Sequence, residues 1–490
     1  MRVPPVRVEK LNDQPIRPER AYVLYWMVAA RRTRWSFALD HAIQTARRLA
    51  RPLVVFEPLR VDYPYASARF HRFVMDGMAH NQAAFAQSPI RYLPYVERAP
   101  GDGRGLLEAL AADACVVVTD YQPGFFLSRM QRAAATKVGA SLERVDGIGM
   151  IPLATTPRAF PTAHAYRRFM QQSLTQHLTT PTPDPLADLD LPAAPDLAAS
   201  LRPAWLPTPA HALTDDALLA SLPVDHEVGP VATLRGGHAA ARAALDRFLT
   251  CGLERYVDER LDPGADAQSG LSPYLHFGHV GVHEVFDAIA RREQWSPSVL
   301  GATKGAREGF WCMSPESEAF LDELVTWREV GHVFSHHRDD FDRYSGQPDW
   351  ARATLEAHRT DARAVRYDRD ALERAETHDE IWNAAQRQLV RDGRIHNALR
   401  MLWGKKILEW SDDPEQAWDR LVYLNNRWAL DGRDANSWSG IGWVLGRFDR
   451  PWGPERPIFG MIRYMSSDQA RRKMRLGAYL ARWGPTEPAV

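Results

Sequence analysis

The chain has 490 residues, with 61 Lys+Arg against 61 Asp+Glu, three cysteines and 45% apolar residues. That length exceeds what one hydrophobic core sustains, so two or three domains are expected, and the ordinary apolar and charged content excludes a disordered or fibrous chain. Balanced charge supplies no overall field for nucleic acid, the scattered Cys115, Cys251 and Cys312 exclude a disulfide framework, and neither a signal pattern nor an apolar run of about 18 residues occurs. These features point to a reducing cytoplasm and no membrane partner.

Residues 21–27 (AYVLYWM), 52–59 (PLVVFEPL) and 114–121 (ACVVVTDY) are apolar runs of the kind carried by buried parallel strands. Apolar residues at helical spacing in 35–50 and 68–86 alternate with them. Residues 1–177 are therefore expected to form an α/β domain, a doubly wound parallel sheet with right-handed crossovers. Thr119, Asp120 and Tyr121 fall at a strand's carboxyl end, where such sheets bind ligands. Eight prolines between 181 and 209 mark 178–230 as an irregular connector. From 231 to 490 the patterns are helical throughout, which predicts an all-helical second domain.

Eight of the sixteen tryptophans lie between Trp382 and Trp452. An indole N–H needs a partner when buried, so Trp is seldom massed without purpose. Residues 382–410 read as helix, with Trp403 and Trp410 on one face two turns apart. Such indoles fill a core, stack on bases or pass electrons. Glu323 and Trp327, at i and i+4, admit two readings: a structural Glu beside a core Trp, or a carboxyl that hydrogen-bonds an extruded base while the indole stacks on it. Gly147-Ile-Gly149 is followed by Pro152 rather than a helix start, and Gly440-Ile-Gly442 lies in a helical stretch, so neither is a dinucleotide fingerprint. His332, His336 and His337 have metal-compatible spacing, but no second cluster completes a coordination set and no metal is expected.

In order, SGLSPYLHFG (269–278), ELVTWRE (323–329), WNAAQ (382–386), IHNALRMLWGKKILEW (395–410), LNNRWALDGRD (424–434) and ERPIFGMIRYM (455–465) resemble class II deoxyribodipyrimidine photolyases. LYWM (24–27) and ACVVVTDY extend the resemblance into the first domain, so it covers most of the chain outside the connector. It implies FAD held in a U shape within the helical domain, which needs no glycine fingerprint. Tyr256, Ser269, Leu271 and Ser272 are implied at the phosphates and ribitol, with Arg328 close by. Arg400 and Asp431 are implied as an ion pair beside the isoalloxazine, Asn425 at flavin N5, and Asn397 at the flavin or lesion edge. Glu323, Trp327, Met401 and Trp443 match a lesion pocket. Trp403, Trp382 and Trp410 match proximal, medial and distal members of an electron relay, with Tyr367 as a further donor.

The implied function is a light-driven lyase that splits cyclobutane pyrimidine dimers in double-stranded DNA by electron donation from photoexcited reduced FAD, acting as a monomer. Eight Lys/Arg against three acids in 441–475 assign Arg447, Arg450, Arg463 and Arg472 to phosphate contacts, although a solvated helical surface would look similar. The rival reading is a cryptochrome-like flavin photoreceptor without repair activity. It would keep the tryptophan relay and lose the lesion contacts; all four are present, and no long tail follows Val490. Three departures from class II bear on lesion affinity: Asn397 where the class has Gly, His332-Val333-Phe334 where it has Asp-Asn-Phe, and Glu284 near the place of a lesion-holding Arg. WMVAARRTRW lacks the usual Arg-Asp-Gln, which leaves a second antenna chromophore, of deazaflavin or folate type, open.

Overall fold

The computed structural model describes residues 2–197, 201–265 and 267–485; three residues of the expected connector and the last five, Val490 included, lie outside them. Contacts divide the chain into two units that alternate along the sequence. The first comprises Met1–Pro157, Ser173–Asp246 and Gly270–Trp295, and the second Arg158–Gln172, Arg247–Ser269 and Ser296–Val490. The expected boundaries after 177 and 230 do not coincide with this division.

The first unit is built on six strands: β1 (Val8–Lys10), β2 (Tyr22–Trp26), β3 (Leu53–Leu59), β4 (Arg91–Val96), β5 (Ala114–Asp120) and β6 (Ser141–Val145). Their order is β1-β6-β5-β2-β3-β4. All pairings are parallel except β1 with β6, so the expected parallel sheet carries one antiparallel edge. Every residue of β2 and β5 is buried, because alternate side chains enter cores on opposite faces. Val23, Tyr25, Val55 and Val116 meet Phe37, Leu39 and Ile43 of helix α1 (Phe37–Leu49) on one side. Leu24, Trp26, Val54 and Val117 meet Leu106 and Leu110 of a helix over Leu106–Ala112 on the other. A second long helix, α2 (Ala68–Phe85), starts from Ser67, whose side chain accepts from the amide of Phe70.

At the point where strand order reverses, Asp120 ends β5 as expected. Its carboxylate is already engaged: it accepts from the Tyr25 hydroxyl at 2.8 Å and from the amides of Val28 at 3.2 Å and Ala29 at 2.6 Å. Here the carboxylate takes hydrogen bonds that a ligand at the strand ends would otherwise receive.

The proline-rich stretch is irregular but folded, with short helices at Ala210–Leu213 and Asp216–Ser221. Leu213 and Val228 are fully buried. Thr208 runs along the β4 edge, its hydroxyl accepting from Val96 N at 3.0 Å and its amide donating to Pro94 O at 2.7 Å. The expected irregular connector is thus a cover for an edge strand that would otherwise stand open. Glu284 is buried in this unit against His238, whose Nε2 lies 2.9 and 3.0 Å from its two oxygens.

In the second unit the described residues form helices and loops without a strand. The helices that carry the site are α3 (Arg328–His337), α4 (Glu380–Asp392), α5 (Asn397–Trp410), α6 (Pro414–Trp428) and α7 (Ala435–Val444). The expected single helix over 382–410 is two: Gly393 turns left-handed at φ 65° and ends α4, and the side chain of His396 caps α5. Among the described residues, no helix is long and apolar enough to cross a membrane.

Gly278, which closes SPYLHFG, has φ +72°, and a Cβ there would lie 1.7 Å from the carbonyl oxygen of Ala29. Gly278→Ala therefore combines backbone strain with a collision against main chain and should cost at least about 2 kcal/mol. Thermal unfolding checks this; an unchanged melting temperature would contradict it.

Candidate active site

The break at Gly393 assembles the tryptophans. In one straight helix Trp382 and Trp403 would stand about 30 Å apart. With α4 folded back beside α5, their rings are 6.3 Å apart and nearly parallel, at 4°. Trp382 also meets Trp410 at 5.4 Å and 70°, and Trp410 meets Tyr367 at 5.1 Å. The three indoles are buried, and two of their N–H groups are satisfied: Trp382 donates to Trp403 O at 2.9 Å and Trp403 to Gln386 Oε1 at 3.0 Å. Burial alone would suit a core. The order 403–382–410–367, ending on a half-buried tyrosine, also makes a continuous aromatic path toward solvent.

Glu323 and Trp327 lie on a π-helical turn, Asp322–Trp327, that runs directly into α3. Such single widened turns recur at functional sites. Arg167 holds this one through a two-pronged ion pair to Asp322, at 2.6 and 2.9 Å, and Tyr166 donates to Glu329 at 2.7 Å. These contacts explain why Arg158–Gln172 belongs to the second unit.

Two glycines then draw three helices together. A Cβ on Gly331 of α3 would lie 2.3 Å from Ser439 Oγ of α7, and one on Gly404 of α5 would lie 2.4 Å from Val444 of α7. Across the first contact, Trp327 and Trp443 meet with centroids 6.0 Å apart and planes at 57°. Glu323, Trp327, Met401 and Trp443 are all half-buried amid buried neighbours, as pocket walls are. Burial first, and the adjacent Asp322 carboxylate second, push the Glu323 carboxyl up to about 7, opposed by Arg260, Arg307 and Arg167. Its side chain is nevertheless 39% exposed, with Arg260 at 3.8 Å, so hydration tempers that rise.

Asn425, on α6, is buried and oriented unambiguously. The backbone N–H of Arg433 donates to Asn426 Oδ1 at 2.9 Å, so the group of Asn425 that faces the same oxygen at 3.1 Å must be its NH2. That nitrogen also donates to Ser437 Oγ at 2.6 Å, so the carbonyl oxygen is the hydrogen-bonding group of Asn425 that these contacts leave over. Its orientation as an acceptor is fixed by the two donations of the amide nitrogen. Arg400, half-buried, and Asp431, buried, stand 3.5 Å apart as the expected ion pair. Asn397 is exposed at the start of α5. Tyr256 and Arg328 are buried in this unit and Ser269 is half-buried, whereas Leu271 and Ser272 belong to the first unit, at the start of the helix Ser272–His276.

One expectation fails outright. Arg447 is 1% exposed, donates to Phe341 O at 2.8 Å and lies 4.4 Å from the centre of the Phe334 ring, so it is a core residue and not a phosphate contact. Arg450 and Arg472 are exposed. Arg463 is partly exposed, stacked 4.1 Å over Trp452 and paired with Asp449 at 3.1 Å. His332 is buried, with Nδ1 3.0 Å from Arg328 O and Nε2 3.3 Å from Asp434, and no metal-holding cluster occurs among the described residues. Sequence reasoning missed Arg260, Gln386 and His378; of these only Gln386 lies in a recognised motif, WNAAQ.

No family model matches the chain. It is 32% identical to the deoxyribodipyrimidine photo-lyase of Methanothermobacter thermautotrophicus over 97% of this chain and 97% of that protein. The crystal structure of a Synechocystis cryptochrome matches with TM-score 0.68 and 14% identity, over 94% of this chain and 88% of that one. A Sulfolobus tokodaii photolyase structure with two FAD molecules matches with TM-score 0.63 and 13% identity, over 94% and 90%. At such identities the two structures establish the fold alone.

The raised carboxyl gives a signed prediction. Between pH 4.5 and about 7 the folded chain keeps a proton on Glu323 that the unfolded chain has released, so this group's contribution falls as pH rises through that window. Glu323→Gln removes the dependence and should gain stability over the parent at pH 8 relative to pH 4, by at most about 1 kcal/mol given the exposure of the side chain. Urea unfolding at both pH values measures it; an equal difference at both would contradict a raised carboxyl.

Proposed function

We propose that this chain, which belongs to the deoxyribodipyrimidine photolyase family, is a class II member that uses light to split cyclobutane pyrimidine dimers in double-stranded DNA. The observation that carries the reading is the half-exposed wall of Glu323, Trp327 and Trp443, set in the same helical unit as an unbroken aromatic relay.

The residues fit a flavin. The Asn425 carbonyl suits a ring N–H donor, and the Arg400–Asp431 pair suits a ring edge that carries negative charge. Tyr256, Ser269 and Arg328, all of the helical unit, are assigned to the phosphates and ribitol. When bound, FAD in its reduced form supplies the photoexcited electron that opens the dimer and takes it back afterwards.

The chain's own residues do the rest. Trp327 and Trp443, with planes at 57°, suit the splayed rings of a dimer better than one flat base. Met401 packs against it through a polarizable, adaptable side chain. Glu323, when protonated, donates a hydrogen bond to a pyrimidine carbonyl and stabilises the negative charge that reaches the dimer. Asn397 offers a donor and an acceptor where glycine offers neither, and Arg450, Arg463 and Arg472 contact phosphates.

The test is illumination of the purified, reduced protein with an oligonucleotide carrying one thymine dimer, followed through recovery of thymine absorbance. Recovery in the light and not in the dark is expected, with Glu323→Ala lowering the yield per bound dimer by about tenfold. A protein that binds and photoreduces flavin but leaves the dimer intact would overturn this reading in favour of a photoreceptor.

A further inference from the structure

The aromatic path does not stop at an ordinary surface tyrosine. Tyr367 lies in the loop before the helix Arg369–Glu373, and His378 lies just before α4. The Tyr367 hydroxyl sits 2.6 Å from His378 Nδ1. The same hydroxyl accepts from the backbone N–H of His378 at 2.9 Å. With one phenol lone pair taken by that amide, the phenolic proton is free to point at the imidazole, whose Nδ1 accepts it in the tautomer that carries its proton on Nε2. The two rings stack at 5.9 Å and 23°, which holds the pair in register, and both contact Trp410, Tyr367 at 5.1 Å and His378 at 5.6 Å. His378 is exposed, so its ring can pass a proton on to water.

We propose that His378 is the proton acceptor that lets Tyr367 serve as the terminal electron donor of the relay. The inference rests on the proposed function, which supplies the oxidant: the Trp410 radical cation left when an electron has moved inward through Trp382 and Trp403. In the step, Tyr367 gives one electron to Trp410, which returns to its neutral form. The O–H bond of Tyr367 breaks and its proton bonds to His378 Nδ1, leaving a neutral tyrosyl radical and an imidazolium. Without a base at the hydroxyl, the oxidised phenol would stay a strongly acidic cation, and the electron would tend to return from Trp410's side. With the base in place, loss of the proton holds the charge separation at the surface, where a solution reductant can reach it.

Two measurements test this, on the full chain with and without cofactor. In the cofactor-free protein, long-range ¹H–¹⁵N spectra of the histidine side chains should show His378 with its proton on Nε2 and its Nδ1 as acceptor, a pattern lost in Tyr367→Phe. A proton on Nδ1 would overturn the proposal. In flavin-loaded protein, laser-flash spectroscopy should show a tyrosyl radical in the parent that forms more slowly in D2O. His378→Phe keeps a stacking ring but removes the base; its tyrosyl yield should fall at least about tenfold, with the tryptophan signal persisting as it does in Tyr367→Phe. Equal tyrosyl rate and yield in parent and His378→Phe would overturn the proposal, as would a parent that forms tryptophan but no tyrosyl radical. A parent that forms no tryptophan radical at all would instead sink the functional reading on which the inference rests.

Discussion

The methyl groups of Val444 occupy the space where a side chain on Gly404 would begin, and the rest of the site depends on that contact. It seats α5 on α7 at backbone distance. One helix carries Arg400, Met401, Trp403 and Trp410, and the other carries Trp443 beside Val444 in its last turn. The approach is sealed from both sides. Lys405, next in sequence, is buried and donates to the carbonyl of Val444, one of those that the end of α7 leaves without a helical partner. Burial pushes its amine down to about 7. Such burial is costly for a cation and is tolerable because the amine has an acceptor. Gly331 performs the same service between α3 and α7, and through it the π-helical turn reaches Trp443.

The functional parts of the second unit coincide with interruptions of regular helix. The π-helical turn at Asp322–Trp327 sets Glu323 and Trp327, the left-handed Gly393 folds Trp382 back onto Trp403, and Arg433 takes a positive φ of 70° while its amide orients Asn426 and hence Asn425. Each interruption sacrifices helical hydrogen bonds or favourable dihedrals, and each is braced by a hydrogen bond: Arg167 on Asp322, the backbone N–H of Leu430 on Gly393 O at 2.8 Å, and the two asparagines on each other. Local strain held by surrounding packing is what a rigid, pre-arranged site requires.

How far the sequence could be read follows from range. β2, β3, β5, α1 and α2 were legible because their apolar patterns are long and local. β1 has three residues, β4 contains Pro94 at the sheet edge, and β6 is more polar than apolar, so periodicity could not find them. The proline count marked irregular backbone between 181 and 209 correctly but says nothing of whether it packs, and Leu213 and Val228 pack. Arg447 counted as a surface charge because a linear tally cannot see that Gly442 leaves room for its guanidinium, 2.7 Å from where a Cβ would stand. The relay order was legible only through family resemblance; the turn at Gly393, which makes it physical, carries its own signal in the Asp-Gly pair that ends α4. The Tyr367–His378 pair and Arg260 beside Glu323 are contacts across loops, with no local pattern to betray them.

The central claim is that one helical unit holds two separable devices, a pocket that acts on the dimer and an indole relay that resupplies electrons. Trp382 is wedged between Trp403 and Trp410, and in the proposed function it belongs to the relay alone. The most direct measurement is Trp382→Phe, checked for folding and flavin content, in two assays. The account predicts that light-driven reduction of the oxidised flavin slows at least about tenfold, while dimer splitting by chemically reduced protein stays within about twofold of the parent. Equal losses in both assays, or photoreduction at the parent rate, would contradict it.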